Sequence, residues 1–140
     1  MMISVVNVNY LAVFIAALFA MVLGGVWYSP LLFGKYWMKL TKMDAKKIEE
    51  AKKKGMAASY LLQFVAALVT AYVLAHFVAY TESTTVLAGM QTGFWIWLGF
   101  FATTSISSIL WEGKPKELYL LNNAHHLILL MAMGAILAVW

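Results

Sequence analysis

The sequence predicts an all-α integral membrane protein, a four-helix transmembrane bundle with an amphipathic interfacial segment between its first two helices. Apolar residues make up 64% of the chain and charged residues 11%, against roughly 45–50% and 25% in soluble domains. Four apolar runs are each at least 23 residues long, and about 20 residues are enough to cross the hydrocarbon layer. The lysines lie between these runs, so the charge pattern also fits a chain that crosses a bilayer.

The four predicted spans belong to a single domain, residues 1–140. They cover about residues 7–29, 57–79, 86–111 and 118–140.

The lysines predict how the spans are oriented. Eight of the ten lie in the loop 30–56, the other two are Lys114 and Lys116, and the chain has no arginine. With four crossings these two segments lie on the same side, which the positive-inside rule places in the cytoplasm. We therefore expect a multi-pass protein of the cell membrane with both termini outside. The basic charge is a topology signal, so we expect a lipid bilayer as partner and no nucleic acid.

The loop 30–56 has a pattern of its own. Apolar and aromatic residues alternate with Lys35 and Lys39, which is typical of a short helix lying in the membrane interface. Asp44 is the predicted N-cap of a second helix, and Gly55 is its predicted end. Interfacial positions are expected for five aromatic residues: Trp27, Tyr28, Phe33, Trp37 and Trp111.

Small residues recur every four positions within the spans. Such ridges allow helix backbones to approach closely in a bilayer. The same ridges predict symmetric contacts between copies, so we expect a homo-oligomer. The main helix-packing candidates are Ala12, Ala16, Ala20, Gly24 and Gly99, and further ridges run through Ala67, Ala71 and Ala75 and through Thr103 and Ser107.

Polar side chains from three spans are predicted to share one depth. All lie within about eight residues of the cytoplasmic end of their helix, at roughly 1.5 Å per residue. Hydrocarbon offers no hydrogen bonds, so such groups must pair inside the protein or line a wet cavity. Asn122 and His126 share one helix face, while His125 points roughly 100° away. The candidate polar or binding cluster is Gln63, Thr103, Thr104, Ser107, Ser108, Asn122 and His126.

Neither an enzyme nor a metal site is indicated, and we expect no cofactor. The chain has no cysteine, and all six acidic residues lie in loops or at helix ends. A pair formed by Ser107 or Ser108 with His126 would lack an orienting carboxylate. Adjacent histidines on a regular helix cannot both face one metal ion, and no thiolate or carboxylate lies at their depth.

Four motifs in order resemble a family of small bacterial and archaeal membrane proteins known as domain of unknown function 1761. They are Trp27–Gly34 (WYSPLLFG), Trp97–Thr104 (WLGFFATT), Glu112–Pro115 (EGKP) and Met133–Leu137 (MGAIL). The resemblance covers nearly the whole chain and implies the four-span architecture. It carries no function.

The family often has Asn/Asp-Ala-Gly-Tyr-His-Leu where this chain has Asn122–Leu127. The resemblance implies that Asn122 and His126 occupy family positions and that His125 replaces a tyrosine.

Three functions follow as hypotheses. The first is an oligomeric channel or transporter for a small solute or ion, which the polar cluster would recognise. The second is a structural or accessory membrane subunit in which the cluster only fixes helix packing. The third is a His-dependent metal or haem protein.

Overall fold

A computed structural model describes residues 5–140; residues 1–4, part of the amino end predicted to lie outside, fall beyond this range. The described chain is all-helical, with turns between the helices and no strands. The α-helices are α1 Tyr10–Trp27, α2 Gly34–Thr41, α3 Ala45–Lys53, α4 Ala57–Tyr80, α5 Val86–Trp97, α6 Ser107–Leu110 and α7 Lys116–Val139. Between α5 and α6 the chain forms a π-helix and a 3₁₀ turn, Leu98–Ala102 and Thr104–Ile106.

Four helical segments are long and apolar enough to cross a membrane: α1, α4, the stretch Val86–Leu110 and α7. The predicted fold class is therefore confirmed. We call the end that carries residues 28–56 and 111–115 the lysine end, and the other end the far end.

Side-chain caps begin several of the helices. The Asn9 side chain accepts a hydrogen bond from the Ala12 amide at 3.1 Å. Asp44 accepts from the Lys47 amide at 2.8 Å, which confirms it as the N-cap of α3. Each cap satisfies an amide that has no partner within its helix.

Helix α7 is the centre of the bundle. It contacts α1, α4 and α5, and α1 also packs along α4. Helices α1, α4 and α7 thus form a three-helix core, and α5 packs on a different side of α7. Asn9 Nδ2 donates to the Trp140 carbonyl at 3.4 Å, so α1 and α7 run antiparallel from this far end.

The half of the bundle towards the far end is filled with apolar side chains. Its buried core residues are at most 5% exposed, and Ala16 and Met133 are fully buried. Ala12 and Ala16 are therefore buried between helices of the same chain, so contacts between copies would need other surfaces. Ala20 is half-buried against the same core, which consists of Val13, Ala16, Ala71, Leu74, Val78, Leu130 and Met133.

Glycines allow α5 and α7 to touch along their backbones. A Cβ atom on Gly89 would overlap the Gly134 carbonyl, and one on Gly93 would overlap the Leu130 carbonyl. By contrast, Gly99 is exposed, with nothing within 4 Å of its Cβ position. Gly99 therefore packs against no other helix of the described chain, and its role in contacts between copies stays a prediction. The close contact uses the earlier pair, which is spaced as a GxxxG motif.

Hydroxyl groups support the π-helix and the turn that follows it. Thr103, Thr104 and Ser105 donate to the carbonyls of the residues four positions earlier, at 2.7, 2.6 and 2.6 Å. A change of helix type disturbs the backbone hydrogen-bond ladder, and side-chain hydroxyls can satisfy the carbonyls it frees. These hydroxyls therefore serve the backbone of their own span.

Candidate functional site

A cavity of about 550 Å³ lies between α1, α4 and α7 in the half of the bundle towards the lysine end. We call it the large cavity. It opens beside Tyr60 and Gln63, which are both exposed. Such a volume with mostly apolar walls and a few polar groups is typical of small-molecule sites. Its walls are Ala20, Met21, Gly24, Gly25, Tyr28, Tyr60, Gln63, Ala66, Ala67, Thr70, Phe101, His125, His126, Leu129, Leu130 and Met133.

His125 is the buried polar side chain of this cavity. It is 8% exposed, and neither ring nitrogen has a hydrogen-bond partner within residues 5–140. Its ring faces α1, where a Cβ atom on Gly24 would come within 3.9 Å of Nε2. A buried polar group without a partner costs about 1–3 kcal/mol. Such a group in a folded protein requires an explanation, for example a bound molecule.

Aromatic rings hold His125 on the side of the lysine end. Its ring centroid lies 5.8 Å from that of Trp27 and 5.3 Å from that of Tyr28. Trp27 is itself 8% exposed, and its Nε1 is also unpartnered within the described chain. Phe33 packs on Trp27 at 4.7 Å. The imidazole therefore sits in a largely apolar pocket that cannot satisfy its nitrogen atoms.

The turn after α1 places these rings. The Phe33 amide donates to the Trp27 carbonyl at 3.0 Å, and the Gly34 amide donates to the Ser29 carbonyl at 2.8 Å. A Cβ atom on Gly34 would lie 2.5 Å from the Tyr28 carbonyl oxygen, so only glycine fits this turn without movement. The motif WYSPLLFG thus folds back and directs Trp27 and Tyr28 towards α7.

Trp27 is buried inside the protein at the lysine end, so its ring is not on the outer surface, and its interfacial depth stays a prediction. Tyr28 is half-buried, and its hydroxyl donates to Asn122 Oδ1 at 2.7 Å. Trp37 of α2 packs edge-on against Tyr28 at 6.2 Å. Trp111 is 85% exposed at the lysine end.

A second polar group is buried where α7 meets the span Val86–Leu110. Asn123 is 5% exposed, and its Nδ2 donates to Ser105 Oγ and to the Tyr119 carbonyl, both at 3.0 Å. Trp97 Nε1 donates to the Asn123 carbonyl at 2.9 Å. This network is satisfied, unlike His125. Because the network joins α7 to the neighbouring span, we call it the Asn123 clamp.

A smaller cavity of about 240 Å³ lies on another side of His126. We call it the small cavity. Phe101 and His126 line both cavities, and their ring centroids are 5.0 Å apart. These two side chains form the partition between the cavities, and Phe101 belongs to the π-helix. The walls are Phe101, Thr104, Ser105, Ser108, Lys114, Leu118, Tyr119, Asn122, Asn123 and His126.

The structure divides the candidate polar cluster into three groups. Gln63 lines the large cavity, and His126 lines both cavities. The second group, Thr104, Ser108 and Asn122, lines the small cavity. The third group is Thr103 and Ser107, which are exposed, line neither cavity and donate to carbonyls of their own segment. The expectation that all seven residues meet in one layer is wrong for this last pair.

The buried residues Asn123 and His125 and the half-buried Ser105 were not among the candidates. His125 points away from the helix face that carries Asn122 and His126, and this angle indicated a different environment. In the structure, the side of α7 that carries His125 meets α1. For Asn123 the sequence carried no signal, because Trp97 Nε1 donates to its backbone carbonyl, which every residue has.

The residues that could hold a metal ion are few. Within the described part of the chain, no three His, Asp or Glu side chains come together. His125 and His126 have ring centroids 5.1 Å apart and line the large cavity together. In their neutral forms they offer both hydrogen-bond donors and acceptors. The two rings can therefore form hydrogen bonds with a polar group of a bound molecule, whether that group donates or accepts.

Comparison with known proteins gives one match. No curated protein and no solved structure is similar to the chain at a significant level. The profile of a family described as "Protein of unknown function (DUF1761)" matches residues 11–138, nearly the whole chain. The protein therefore belongs to the DUF1761 family of proteins of unknown function.

Proposed function

We propose that this membrane protein binds a small, mainly apolar molecule with a hydrogen-bonding group in the large cavity. The observation that carries the proposal is His125, an imidazole only 8% exposed whose two nitrogens lack partners within residues 5–140. Both nitrogens are covered by neighbouring atoms, so a ligand in the cavity reaches them only when a neighbouring side chain moves. Pairing with the ligand would then remove a cost of about 1–3 kcal/mol. The role proposed is binding rather than catalysis.

The shape of the cavity supports an amphipathic ligand. Apolar walls continue along α7 from His126 to Met133, about 10 Å at 1.5 Å per residue. Polar groups gather at the other side, where Tyr28, Tyr60 and Gln63 line the cavity. If the lysine end is cytoplasmic, as the positive-inside rule indicates, the ligand would enter at the level of the inner leaflet.

Transport is the second candidate function. The exposed wall residues Gly25, Tyr60, Gln63 and Ala66 lie on one side of the cavity, while Leu130 and Met133 close its other side at 2% and 0% exposure. A carrier has a cavity closed on one side in each of its two states. A channel through a single chain would need the apolar half of the bundle, towards the far end, to open. Transport by a homo-oligomer, the expectation from the sequence, thus requires a rearrangement that binding does not.

The proposal is tested with purified protein and a neutral single-chain probe, 1-monooleoylglycerol. Gly25→Leu introduces a side chain at a cavity wall where a Cβ atom meets nothing within 4 Å. Gly99→Leu is the matched control, because Gly99 is equally open but lines neither cavity. Isothermal titration in maltoside micelles measures the affinity.

We expect the wild type and Gly99→Leu to bind the probe alike. Gly25→Leu should bind about tenfold or more weakly, a difference of about 1.4 kcal/mol. Equal binding by all three proteins, or none by the wild type, would contradict a ligand site in the large cavity.

A further inference from the structure

The two cavities lie on either side of one partition. Within residues 5–140, only Phe101 and His126 lie in the walls of both, and the two rings are 5.0 Å apart. Both cavities have mainly apolar walls, and the small one differs in having a lysine, Lys114, beside its hydroxyl, amide and imidazole residues. A molecule with one apolar and one anionic part fits this difference.

The small cavity provides hydrogen-bond donors and a positive charge. Lys114 is among the lining residues, so its flexible side chain can bring an ammonium group to the cavity, and no carboxylate lies among the lining residues within the described chain. Since Tyr28 donates to Asn122 Oδ1, the group that Asn122 can offer to another partner is its donor, Nδ2. Ser108 adds a hydroxyl, and His126 adds a ring nitrogen. Positive charge with several donors is the chemistry that holds phosphate or carboxylate.

The only charged neighbour that competes for Lys114 in the described chain is Glu112. Its Oε2 lies 3.4 Å from Nζ, and both side chains are more than half exposed, at 58% and 56%. Exposed pairs of this kind contribute about 0–1 kcal/mol. An anion bound in the cavity can therefore displace this contact at little cost.

We propose that the two cavities bind one anionic amphiphile, with its hydrocarbon chain in the large cavity and a phosphate or carboxylate head group in the small cavity. This inference rests on the proposed function and adds the class of ligand. Lys114 is the head-group residue. The Phe101 and His126 rings stand between the cavities, so they must turn aside where the chain joins the head group. The position of Lys114 at the lysine end places the head group at the level of the membrane surface.

The test compares two probes that differ only in a phosphate: 1-oleoyl lysophosphatidic acid and 1-monooleoylglycerol. Titration in neutral maltoside micelles gives both affinities, and inorganic phosphate alone is the third probe. Lys114→Gln removes the proposed charge. Lys116→Gln is the matched control, because Lys116 is an exposed lysine two residues away that lines neither cavity.

For the wild type we expect lysophosphatidic acid to bind about tenfold more tightly than monooleoylglycerol, as a charge-assisted contact allows. Lys114→Gln should remove most of this preference, and Lys116→Gln should keep it. Asn122→Asp retains an acceptor for Tyr28 but adds a negative charge, so it should abolish the preference while the neutral probe still binds.

Three results would overturn the inference. Equal affinity for both probes in the wild type would leave binding in the large cavity intact but remove the head-group site. Equal loss from both lysine variants would show only a general charge effect. Inorganic phosphate as strong as lysophosphatidic acid would identify a free-anion site. Failure of both amphiphiles to bind would instead contradict the proposed function itself.

Discussion

The Tyr28 hydroxyl donates a hydrogen bond of 2.7 Å to Asn122 Oδ1, across 94 positions of the chain. The bond joins the end of α1 to the first turns of α7. On one side of it, His125 packs against the Tyr28 ring at 5.3 Å. On the other side, Asn122 lines the small cavity. One contact therefore joins a wall of the large cavity, at Tyr28, to a wall of the small cavity, at Asn122.

Removal of this bond should destabilise the protein moderately. Interhelical hydrogen bonds in membranes average about 0.6 kcal/mol and reach about 1.7. We expect Tyr28→Phe to lower the free energy of unfolding by about 1 kcal/mol, measured by detergent-induced unfolding. When Asn122→Ala has already removed the acceptor, Tyr28→Phe should lower the free energy of unfolding much less, which a double-mutant cycle measures. Tyr36→Phe, at a residue that is 41% exposed, should change little, and an equal effect there would refute the assignment.

The contact between α5 and α7 should tolerate no side chain at Gly93. A Cβ atom there would overlap the Leu130 carbonyl and come within 2.9 Å of the Met131 amide nitrogen. Gly93→Ala should therefore lower the unfolding free energy by about 2 kcal/mol or more, since overpacking costs about 1–3 kcal/mol. Gly99→Ala has open space and should be neutral or slightly stabilising. Thermal unfolding of both variants in the same detergent decides this, and similar midpoints would be inconsistent with the close approach.

The unpartnered imidazole should be costly in the empty protein. His125→Leu replaces it with an apolar side chain of similar size, so the unfolding free energy of ligand-free protein should rise by about 1 kcal/mol. Binding of the amphiphile should weaken in the same variant. His76→Leu is the control, because its Nδ1 lies 2.8 Å from the Tyr72 carbonyl and its loss should not stabilise. A less stable His125→Leu protein would show that the ring is satisfied after all.

The Asn123 clamp should behave in the opposite way. Asn123→Ala removes the hydrogen bonds to Ser105 and to the Tyr119 carbonyl and opens a small gap, so we expect a loss of about 1–3 kcal/mol. Binding of 1-monooleoylglycerol should change little compared with His125→Leu, because Asn123 does not line the large cavity. Ser107→Ala removes a hydroxyl that bonds only within its own segment, to Thr104, and should have almost no effect. Chemical unfolding monitored by circular dichroism provides the comparison.

Much of the fold was predictable because the bilayer imposes simple rules. Length and hydropathy identified the four spans, and Asp44 marked the start of α3 through its cap. The helix-type change at Leu98–Ala102 was not predicted, since a π-helix has no periodic pattern of its own. The hydroxyls at Thr103 and Thr104 appeared to be site residues, but they satisfy backbone carbonyls near this irregular stretch.

The site was less predictable because depth along a helix does not specify its rotation. Gln63 and His126 lie at a cavity, yet the buried imidazole belongs to the neighbouring residue, His125. Which face of α7 meets α1 depends on Gly24 and on the turn that buries Trp27. These contacts join residues that are far apart in the chain, and one sequence by itself does not show which of them meet.

The most direct measurement is an inventory of the molecules that remain bound after gentle extraction from native membranes. Mass spectrometry would compare the wild type with Gly25→Leu, which obstructs the large cavity, and Gly99→Leu, which does not. A cavity built for an amphiphile predicts one such species in stoichiometric amount on the wild type and on Gly99→Leu, and its absence from Gly25→Leu. The same molecules in the same amounts on all three proteins would contradict it.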